Sequence, residues 1–294
     1  MAITADMVKQ LRERTGAGMM ECKKALKEAE GDMEGAIEVM RKSGLAKAEK
    51  KAGRVAAEGV IVARVADDGQ AGVLVEINSE TDFVANNDEF QGFADAVAER
   101  VLSDAPADVT ELSAMALAAN DQRDIATATK ELVAKIGENI EVRRFTRRTA
   151  ERGRLASYLH GKRIGVLVEY LGDEQLGRDL AMHIAASQPI AISGDDVPAE
   201  QLEKERATLE AQARESGKPE EIVQKMVDGR MRKYLGEITL LGQPFVKDPD
   251  QTVEAYLTSK SAEVAFFERF EVGEGKEKKE ENFADEVMAQ VKGG

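Results

Sequence analysis

The stretch Ala71–Phe90, AGVLVEINSETDFVANNDEF, contains the end of one predicted element, the start of another and an unusual link between them. Its first part is a β-branched apolar run, Val73–Ile77, which predicts a buried strand running into a turn at Ser79. Its last part begins a series of apolar residues at helical spacing, with Asn87 or Asp88 as the cap. The stretch therefore predicts a core strand, a polar link and a helix.

The link contains the tetrapeptide Thr81-Asp82-Phe83-Val84, whose two apolar residues belong to neither pattern. Binding loops are often found where a strand ends, because a rigid scaffold positions them there. Two interpretations of Phe83 are open. It packs beneath its own loop, or it is exposed and takes part in binding.

An internal repeat favours the binding role. The strand sequence Ala71–Ile77 (AGVLVEI) recurs 93 positions later as Ile164–Tyr170 (IGVLVEY). The helices that follow also correspond, Phe93–Ala98 with Leu180–Ala185, but at an offset of 87. The first copy therefore has an addition of six residues between strand and helix, which contains the tetrapeptide. Because the second copy is expected to fold without it, a functional role is favoured.

The composition favours aliphatic cores and a cytoplasmic location. The 294 residues are 43% hydrophobic and only 4% aromatic, with no tryptophan and a net charge of −14. This balance argues against nucleic-acid binding, which normally uses basic surfaces and aromatic stacking. The single cysteine, Cys22, excludes an internal disulfide and fits a reducing compartment. We expect neither a secretory signal nor a membrane span.

The charge is uneven along the chain. Residues 1–55 carry a net charge of +3, and the remainder carries −17. Either the two parts dock on different surfaces, or the difference reflects solvated helix faces.

Residues 1–55 are predicted to form a bundle of three short helices. Thr4 can cap the first, Met19–Glu30 forms the second, and Gly31-Asp32 caps a third that ends at Ser43-Gly44. The basic, alanine-rich stretch Leu45–Ala57 is then predicted to be a helical linker.

Residues 56–149 are predicted to form the first copy of the repeat. Strands near Gly59–Val65 and Gly72–Asn78 are joined by a hairpin turn at Asp67–Gly69. A helical pattern then continues to Ile136, and Asn139–Arg148 is predicted to be a third, edge strand.

Residues 150–277 are predicted to form the second copy, with strands at Leu155–Leu159 and Ile164–Tyr170, a helix and a closing strand at Ala265–Val272. A helical hairpin is inserted at 198–237, with Gly217 ending one helix and Pro219 starting the next. A C-terminal helical module follows at 278–294. The predicted fold class is α+β, with two small antiparallel three-stranded sheets.

The sequence contains no recognisable enzyme machinery. The two histidines, His160 and His183, lack partners at metal-ligand spacing, and His183 is predicted to lie in or beside the core. Gly16-Ala17-Gly18 and Gly273-Glu274-Gly275 lack the context of a nucleotide loop. Lys23 and Lys24 could lower the pKa of Cys22, but a buried bystander thiol is favoured over a nucleophile. We expect no enzyme activity, metal or cofactor.

Two motifs resemble those of a known family. Glu76–Asn86 (EINSETDFVAN) and Leu11–Leu26 (LRERTGAGMMECKKAL) are similar to the two signatures of bacterial elongation factor Ts. The resemblance implies guanine nucleotide exchange on elongation factor Tu during translation, without direct binding of nucleotide, nucleic acid or membrane. It also implies that the N-terminal bundle is ubiquitin-associated-like and that the helical hairpin is a coiled-coil arm.

The resemblance further implies specific partner contacts. Asp82 and Phe83 would insert beside the phosphate and magnesium site of elongation factor Tu, within a tetrapeptide that displaces the magnesium. Asn86 replaces a basic residue that many relatives have, so a salt bridge there is not expected. The magnesium-displacing residues are Thr81, Asp82, Phe83 and Val84, and the other implied contacts are Arg12, Met19, Met20 and His160.

Several alternatives remain open from the residues themselves. One of the adjacent methionines Met19 and Met20 could lie in the core, and His160 could be a solvated turn residue. The whole chain could be a non-catalytic adaptor or holding chaperone, or, on Cys22 alone, a cysteine enzyme. A complex of one to one or two to two would use the same motifs.

Overall fold

A computed structural model of the chain describes residues 3–276. Within them the chain forms eleven α-helices and eight strands, which confirms a mixed helix and sheet architecture. The predicted C-terminal module at 278–294 lies outside the described residues. The elements are α1 Ala5–Thr15, α2 Met19–Glu28, α3 Met33–Lys51, β1 Glu58–Val65, β2 Ala71–Ser79, α4 Asp82–Ala85, α5 Asp88–Asp104, α6 Val109–Ala114, α7 Ile125–Ile136, β3 Ile140–Thr149, β4 Arg154–His160, β5 Ile164–Leu171, α8 Glu174–Ser187, α9 Ala199–Arg214, α10 Glu220–Ile238, β6 Pro244–Phe245, β7 Asp248–Thr252, α11 Val253–Ser259 and β8 Glu263–Glu271.

The described residues fall into two compact units. The first takes residues from Met1–Val60, Val75–Phe145 and Val272–Gly294, and the second consists of Ile61–Leu74 and Thr146–Glu271. This division does not follow the predicted boundaries at 56 and 150, because each strand of the first sheet is shared between the units. The predicted domain limits therefore stay predictions.

Helices α1, α2 and α3 share a small core in the first unit, made by Val8, Leu11, Cys22, Leu26 and Ala36. The predicted caps are confirmed: the Thr4 hydroxyl accepts the N–H of Met7, and the Asp32 carboxylate accepts that of Gly35. Their likeness to a ubiquitin-associated fold stays an expectation.

The predicted end of the third helix at Ser43-Gly44 is wrong, because α3 continues to Lys51. A Cβ atom at Gly44 would lie 3.1 Å from the Cβ of Ala134 on α7. The glycine therefore permits close packing of two helices instead of ending one. The first part of the predicted helical linker belongs to α3.

The two predicted sheets are present, with strand orders β1-β2-β3 and β4-β5-β8. The repeated strands β2 and β5 are central in their sheets, and β3 is the predicted edge strand. The second sheet is antiparallel throughout, with Val168 opposite both Ala156 and Phe267. The repeated helix positions are buried in both copies: Phe93, Ala94, Val97 and Ala98 on α5, and Leu180, Ala181, Ile184 and Ala185 on α8.

The repeated glycines have the same packing role in the two strands. Within the second unit, a Cβ at Gly72 would lie 2.8 Å from Leu167 Cδ1, and one at Gly165 would lie 3.3 Å from Leu74 Cδ2 and 2.5 Å from Ile61 Cγ2. Leu74 and Leu167 are themselves equivalent in the repeat. Each glycine therefore admits the leucine of the other copy, and a larger residue would push the strands apart.

The repeat also buries a glutamate in each central strand, Glu76 and Glu169, both fully inaccessible to solvent. Glu76 accepts hydrogen bonds from Arg143 (2.9 Å), Arg144 (2.6 Å) and the N–H of Gly273 (2.8 Å). Burial raises the pKa of the Glu76 carboxyl, but these bonds and one from Asn78 together hold that pKa below its ordinary value.

The second buried glutamate is held in the same manner. Glu169 accepts from Arg148 at 2.9 Å and from the backbone N–H groups of Glu151 and Arg152 at 2.6 and 3.0 Å. Burial again raises its pKa, and these hydrogen bonds outweigh that effect and lower the pKa. Both carboxylates are therefore charged and fully partnered at neutral pH.

The two helices predicted at 198–237 are present as α9 and α10. Gly217 has a φ of +67° between them, and α10 begins directly after Pro219. Apolar residues from both helices form their shared core, including Ala213, Val223 and Val227. The short elements β6, β7 and α11 were not predicted, because their sequences are too short to show a period.

His183 is a core residue, as predicted. Its Nδ1 accepts the N–H of Val246 at 3.2 Å, so its Nε2 carries the proton and donates to Gln243 Oε1 at 3.0 Å. Burial lowers the pKa of His183, and the bond to Gln243 opposes this only in part. Gln243 in turn donates to the carbonyls of Ser187 and Glu237, at the ends of α8 and α10.

Replacing Glu76 by Gln is expected to lower the free energy of unfolding by roughly 2 to 4 kcal/mol. Two arginines lose their counter-charge, and the new amide N–H group faces other donors. Urea denaturation measures the effect. The matched control is Glu141→Gln, an exposed carboxylate on β3 paired with Lys276, which should cost less than about 1 kcal/mol. Equal costs for the two variants would contradict this account.

The free energy of unfolding is expected to fall as the pH drops below about 6.5, the ordinary pKa of histidine in an unfolded chain. There the unfolded state binds a proton that native His183 does not, so stability is lost by at most about 1.4 kcal/mol per pH unit. Denaturation between pH 5 and 8 should show a smaller slope in His183→Gln, which lacks the histidine contribution, while carboxyl groups with lowered pKa values keep theirs toward pH 5. The wild-type slope should persist in His160→Gln, since His160 is exposed.

Candidate functional site

The added segment lies between β2 and α5, as predicted. Eight residues, 80–87, separate these two elements, whereas two residues, 172 and 173, separate β5 from α8. The difference equals the six residues inferred from the repeat. The segment is not an irregular loop, however, because Asp82–Ala85 form the helical turn α4.

Local hydrogen bonds hold this turn. The N–H groups of Asn86 and Asn87 donate to the carbonyls of Phe83 and Val84, at 3.2 and 2.9 Å. The Asn86 side chain donates to the carbonyl of Asp82 at 3.1 Å and so stabilises the turn. Asn87 then caps α5 by accepting the N–H groups of Glu89 and Phe90, which confirms the predicted cap.

The turn divides its side chains between solvent and core. Phe83 is 84% exposed, whereas Val84 and Ala85 are each 7% exposed. The interpretation that Phe83 packs beneath its own loop is therefore wrong. Asp82 is exposed beside it. The Val84 side chain faces the interior, so it anchors the turn and offers no apolar surface to a partner.

Two reciprocal hydrogen-bonded pairs hold the base of the turn to the segment between α7 and β3. The Glu138 carboxylate accepts from the backbone N–H of Thr81 at 2.9 Å and from its hydroxyl at 2.7 Å. The Glu80 carboxylate accepts the backbone N–H of Asn139 at 2.6 Å. We call these four residues the clamp. The side chain of Phe83 thus projects from a fixed support.

The clamp was not predicted from the sequence. Its two halves are 57 to 59 residues apart, and glutamates on a charged chain carry no distinguishing pattern. The only available signal was that Glu80 and Thr81 are the first two residues of the segment between β2 and α5.

The predicted contacts in the N-terminal helices are all on the surface. Met19 is 50% and Met20 76% exposed, so the alternative that one of them lies in the core is wrong. Arg12 is exposed on α1. These residues belong to the same compact unit as the Phe83 turn but lie on different helices. Methionine is an adaptable contact residue, which suits an interaction surface.

His160 belongs to the second unit. It is the last residue of β4, and the turn begins at Gly161 and not at His160 itself. Its Nδ1 lies 3.3 Å from the hydroxyl of Tyr158, and the side chain is exposed.

The single cysteine thiol is enclosed by packing. Cys22 is fully buried and lies 3.8 Å from the carbonyl of Ala17. Among residues 3–276, no three His, Cys, Asp or Glu side chains are arranged to hold a metal ion. In the same part of the chain, no helix has the length and apolar character needed to cross a membrane. The site offers an exposed aromatic ring and a carboxylate, which suit binding to another protein.

Comparisons with known proteins give one family for this chain. The family model described as Elongation factor TS matches residues 80–274, which include the Phe83 turn and both halves of the clamp. A protein of Alkalilimnicola ehrlichii described as Elongation factor Ts is 65% identical over 100% of both chains. Proteins of the same description from Halorhodospira halophila and Methylococcus capsulatus are 64% and 61% identical, each over 99% of both chains. The chain therefore belongs to the elongation factor Ts family.

Proposed function

We propose that this chain is a translation elongation factor that promotes the release of GDP from elongation factor Tu and its exchange for GTP. The observation that carries the proposal is Phe83, an 84% exposed aromatic side chain on a supported helical turn. The turn is present in only one copy of a repeat, in a member of this family. Exposure of such a side chain costs free energy in the isolated chain, and a partner recovers it on binding.

Exchange follows from linkage between two binding events. If the chain binds nucleotide-free elongation factor Tu more tightly than the GDP-bound form, the affinity for GDP must fall by the same factor. Burying a phenylalanine contributes about 1.5 to 3 kcal/mol. If Phe83 is buried only in the open state of the partner, this amounts to roughly 10- to 100-fold of coupling.

Asp82 supplies the electrostatic part of the proposal. Its exposed carboxylate precedes Phe83 on the turn, and inserting it beside a bound phosphate opposes like charges. Magnesium demands near-ideal octahedral geometry, so a small displacement of its ligands in the partner weakens its binding. Thr81 holds the start of the turn, and the buried Val84 holds its interior side.

The other partner contacts in the proposal are Arg12, Met19 and Met20 on the N-terminal helices and His160 at the end of β4. The chain makes and breaks no covalent bond in this scheme, so it is not an enzyme and needs no cofactor. The nucleotide and magnesium stay with elongation factor Tu, and neither nucleic acid nor membrane takes part. The proposed location is the cytoplasm.

Phe83→Ala is expected to reduce the acceleration of GDP release by roughly 10- to 100-fold, because the ring supplies the coupling. The measurement follows release of fluorescent GDP from elongation factor Tu with substoichiometric chain. The melting temperature should stay unchanged, since the ring is exposed. The matched control is Val246→Ala, which shortens another exposed apolar side chain, 42% exposed and in the second unit.

The same assay separates the alternatives. A non-catalytic adaptor or holding chaperone would bind elongation factor Tu and leave GDP release unchanged. A cysteine enzyme would lose activity in Cys22→Ala. Acceleration of GDP release that stays at the wild-type level in Phe83→Ala would refute the role of the inserted ring, although the chain would still be an exchange factor.

A further inference from the structure

The segment that follows α7, Gly137–Asn139, makes hydrogen bonds in two directions within the first unit. On one side, Glu138 accepts both donors of Thr81, at 2.9 and 2.7 Å. On the other side, the Asn139 side chain donates to the carbonyl of Arg54 at 2.8 Å and to that of Ala52 at 3.4 Å. The Lys51 ammonium also donates to the carbonyl of Gly137.

The bonds of Thr81 are unusual for its position. Thr81 precedes α4 as its N-cap residue, where a threonine hydroxyl ordinarily accepts a backbone N–H of its own helix. Here no such capping bond is present, and the hydroxyl donates to Glu138 instead. The residue therefore contributes to the orientation of the turn and not to its helical stability.

The geometry of Glu138 suits that task. Each of its two carboxylate oxygens accepts one donor of the same residue, so the bonds fix both the position and the rotation of Thr81. Glu80 closes the second pair by accepting the N–H of Asn139. A single hydrogen bond would let the turn pivot, whereas the clamp holds it at two adjacent residues.

Asn139 connects the same segment to the end of α3. Its side chain is 7% exposed, and its two acceptors follow the last turn of that helix. Helix α3 packs on α2 within one core. Asn139 therefore supports the helical bundle that carries the exposed Met19 and Met20 at the start of α2. The guanidinium of Arg54 lies 3.6 Å from Glu80, which adds a weak, exposed ion pair to the same group.

We propose that Gly137–Asn139 is a positioning element for nucleotide exchange, in which Glu138 orients the Phe83 turn and Asn139 sets the end of α3 relative to it. Neither residue touches the partner in this scheme. The inference rests on the proposed function, and it assigns separate effects to two neighbouring residues. Glu138 governs how well bound chain opens the nucleotide site, and Asn139 governs how readily the chain docks.

The test varies the concentration of the chain and measures the rate of GDP release from elongation factor Tu. Glu138→Gln should be nearly neutral, because its amide oxygen can accept the Thr81 N–H while the Thr81 hydroxyl rotates to accept from the amide nitrogen. Glu138→Ala leaves both donors of Thr81 without an acceptor and should lower the maximal rate by about five- to tenfold. The half-saturating concentration should change by less than about twofold. Asn139→Ala should do the reverse, raising the half-saturating concentration by about five- to tenfold and leaving the maximal rate within about twofold.

Three further measurements separate positioning from general destabilisation. Amide hydrogen exchange should accelerate at Thr81 in Glu138→Ala but not in Asn139→Ala, which keeps its backbone bond to Glu80. Thr81→Val combined with Glu138→Ala should be no slower than Glu138→Ala alone, since the hydroxyl has already lost its acceptor in the single variant. Glu99→Gln, an exposed glutamate on α5, should match the wild type in both kinetic parameters.

The outcomes distinguish the two proposals. A wild-type chain that does not accelerate GDP release overturns the proposed function and this inference together. Acceleration that is lost in Phe83→Ala but kept at the wild-type maximal rate in Glu138→Ala overturns the positioning role alone. The positioning role would also be overturned if both variants lowered the maximal rate and raised the half-saturating concentration to the same extent, with lower melting temperatures. Such a result would reflect loss of folded protein.

Discussion

The buried carboxylate of Glu76 constrains much of the first sheet. A charge with no access to water is tolerated only when charged and polar donors surround it, and here two arginines of β3, Asn78 and the backbone after β8 do so. These bonds join the central strand to its edge strand and to a segment 197 residues away in sequence. The strand end that leads into the Phe83 turn is therefore held in place by an electrostatic requirement as well as by apolar packing.

The repeat shows which parts of this arrangement serve folding. Both copies keep the glycine that admits a leucine, the buried glutamate with its arginine, and the buried helix face that follows. Only the first copy has the turn with Phe83, and the second copy connects its strand and helix with two residues. The added segment contributes an exposed ring that packing does not require. Its support, through Glu80 and Glu138, holds the base of the turn that carries the ring.

An exposed side chain on a supported turn suits the proposed action by binding alone. Exchange needs a difference in affinity between two states of a partner, and such a difference is largest when the inserted group loses little conformational freedom on binding. In the free chain, the helical turn, its asparagine caps and the clamp all restrict the backbone that carries Phe83. The same reasoning explains how the described residues can support the proposed function without a metal cluster and with Cys22 buried.

The sequence alone determined the local elements and the position of the added segment, because hydrophobic period, capping residues and an internal repeat are properties of neighbours along the chain. The caps at Thr4, Asp32 and Asn87 and the six-residue addition were all read in this way. The tertiary structure decided what depends on contacts between distant residues. It showed that Gly44 brings α3 against α7 where a helix end was expected, that Phe83 faces solvent while Val84 is buried, and that Glu138 holds Thr81. A glycine, an aromatic ring or a glutamate permits several roles in sequence, and only the atoms packed around it select one.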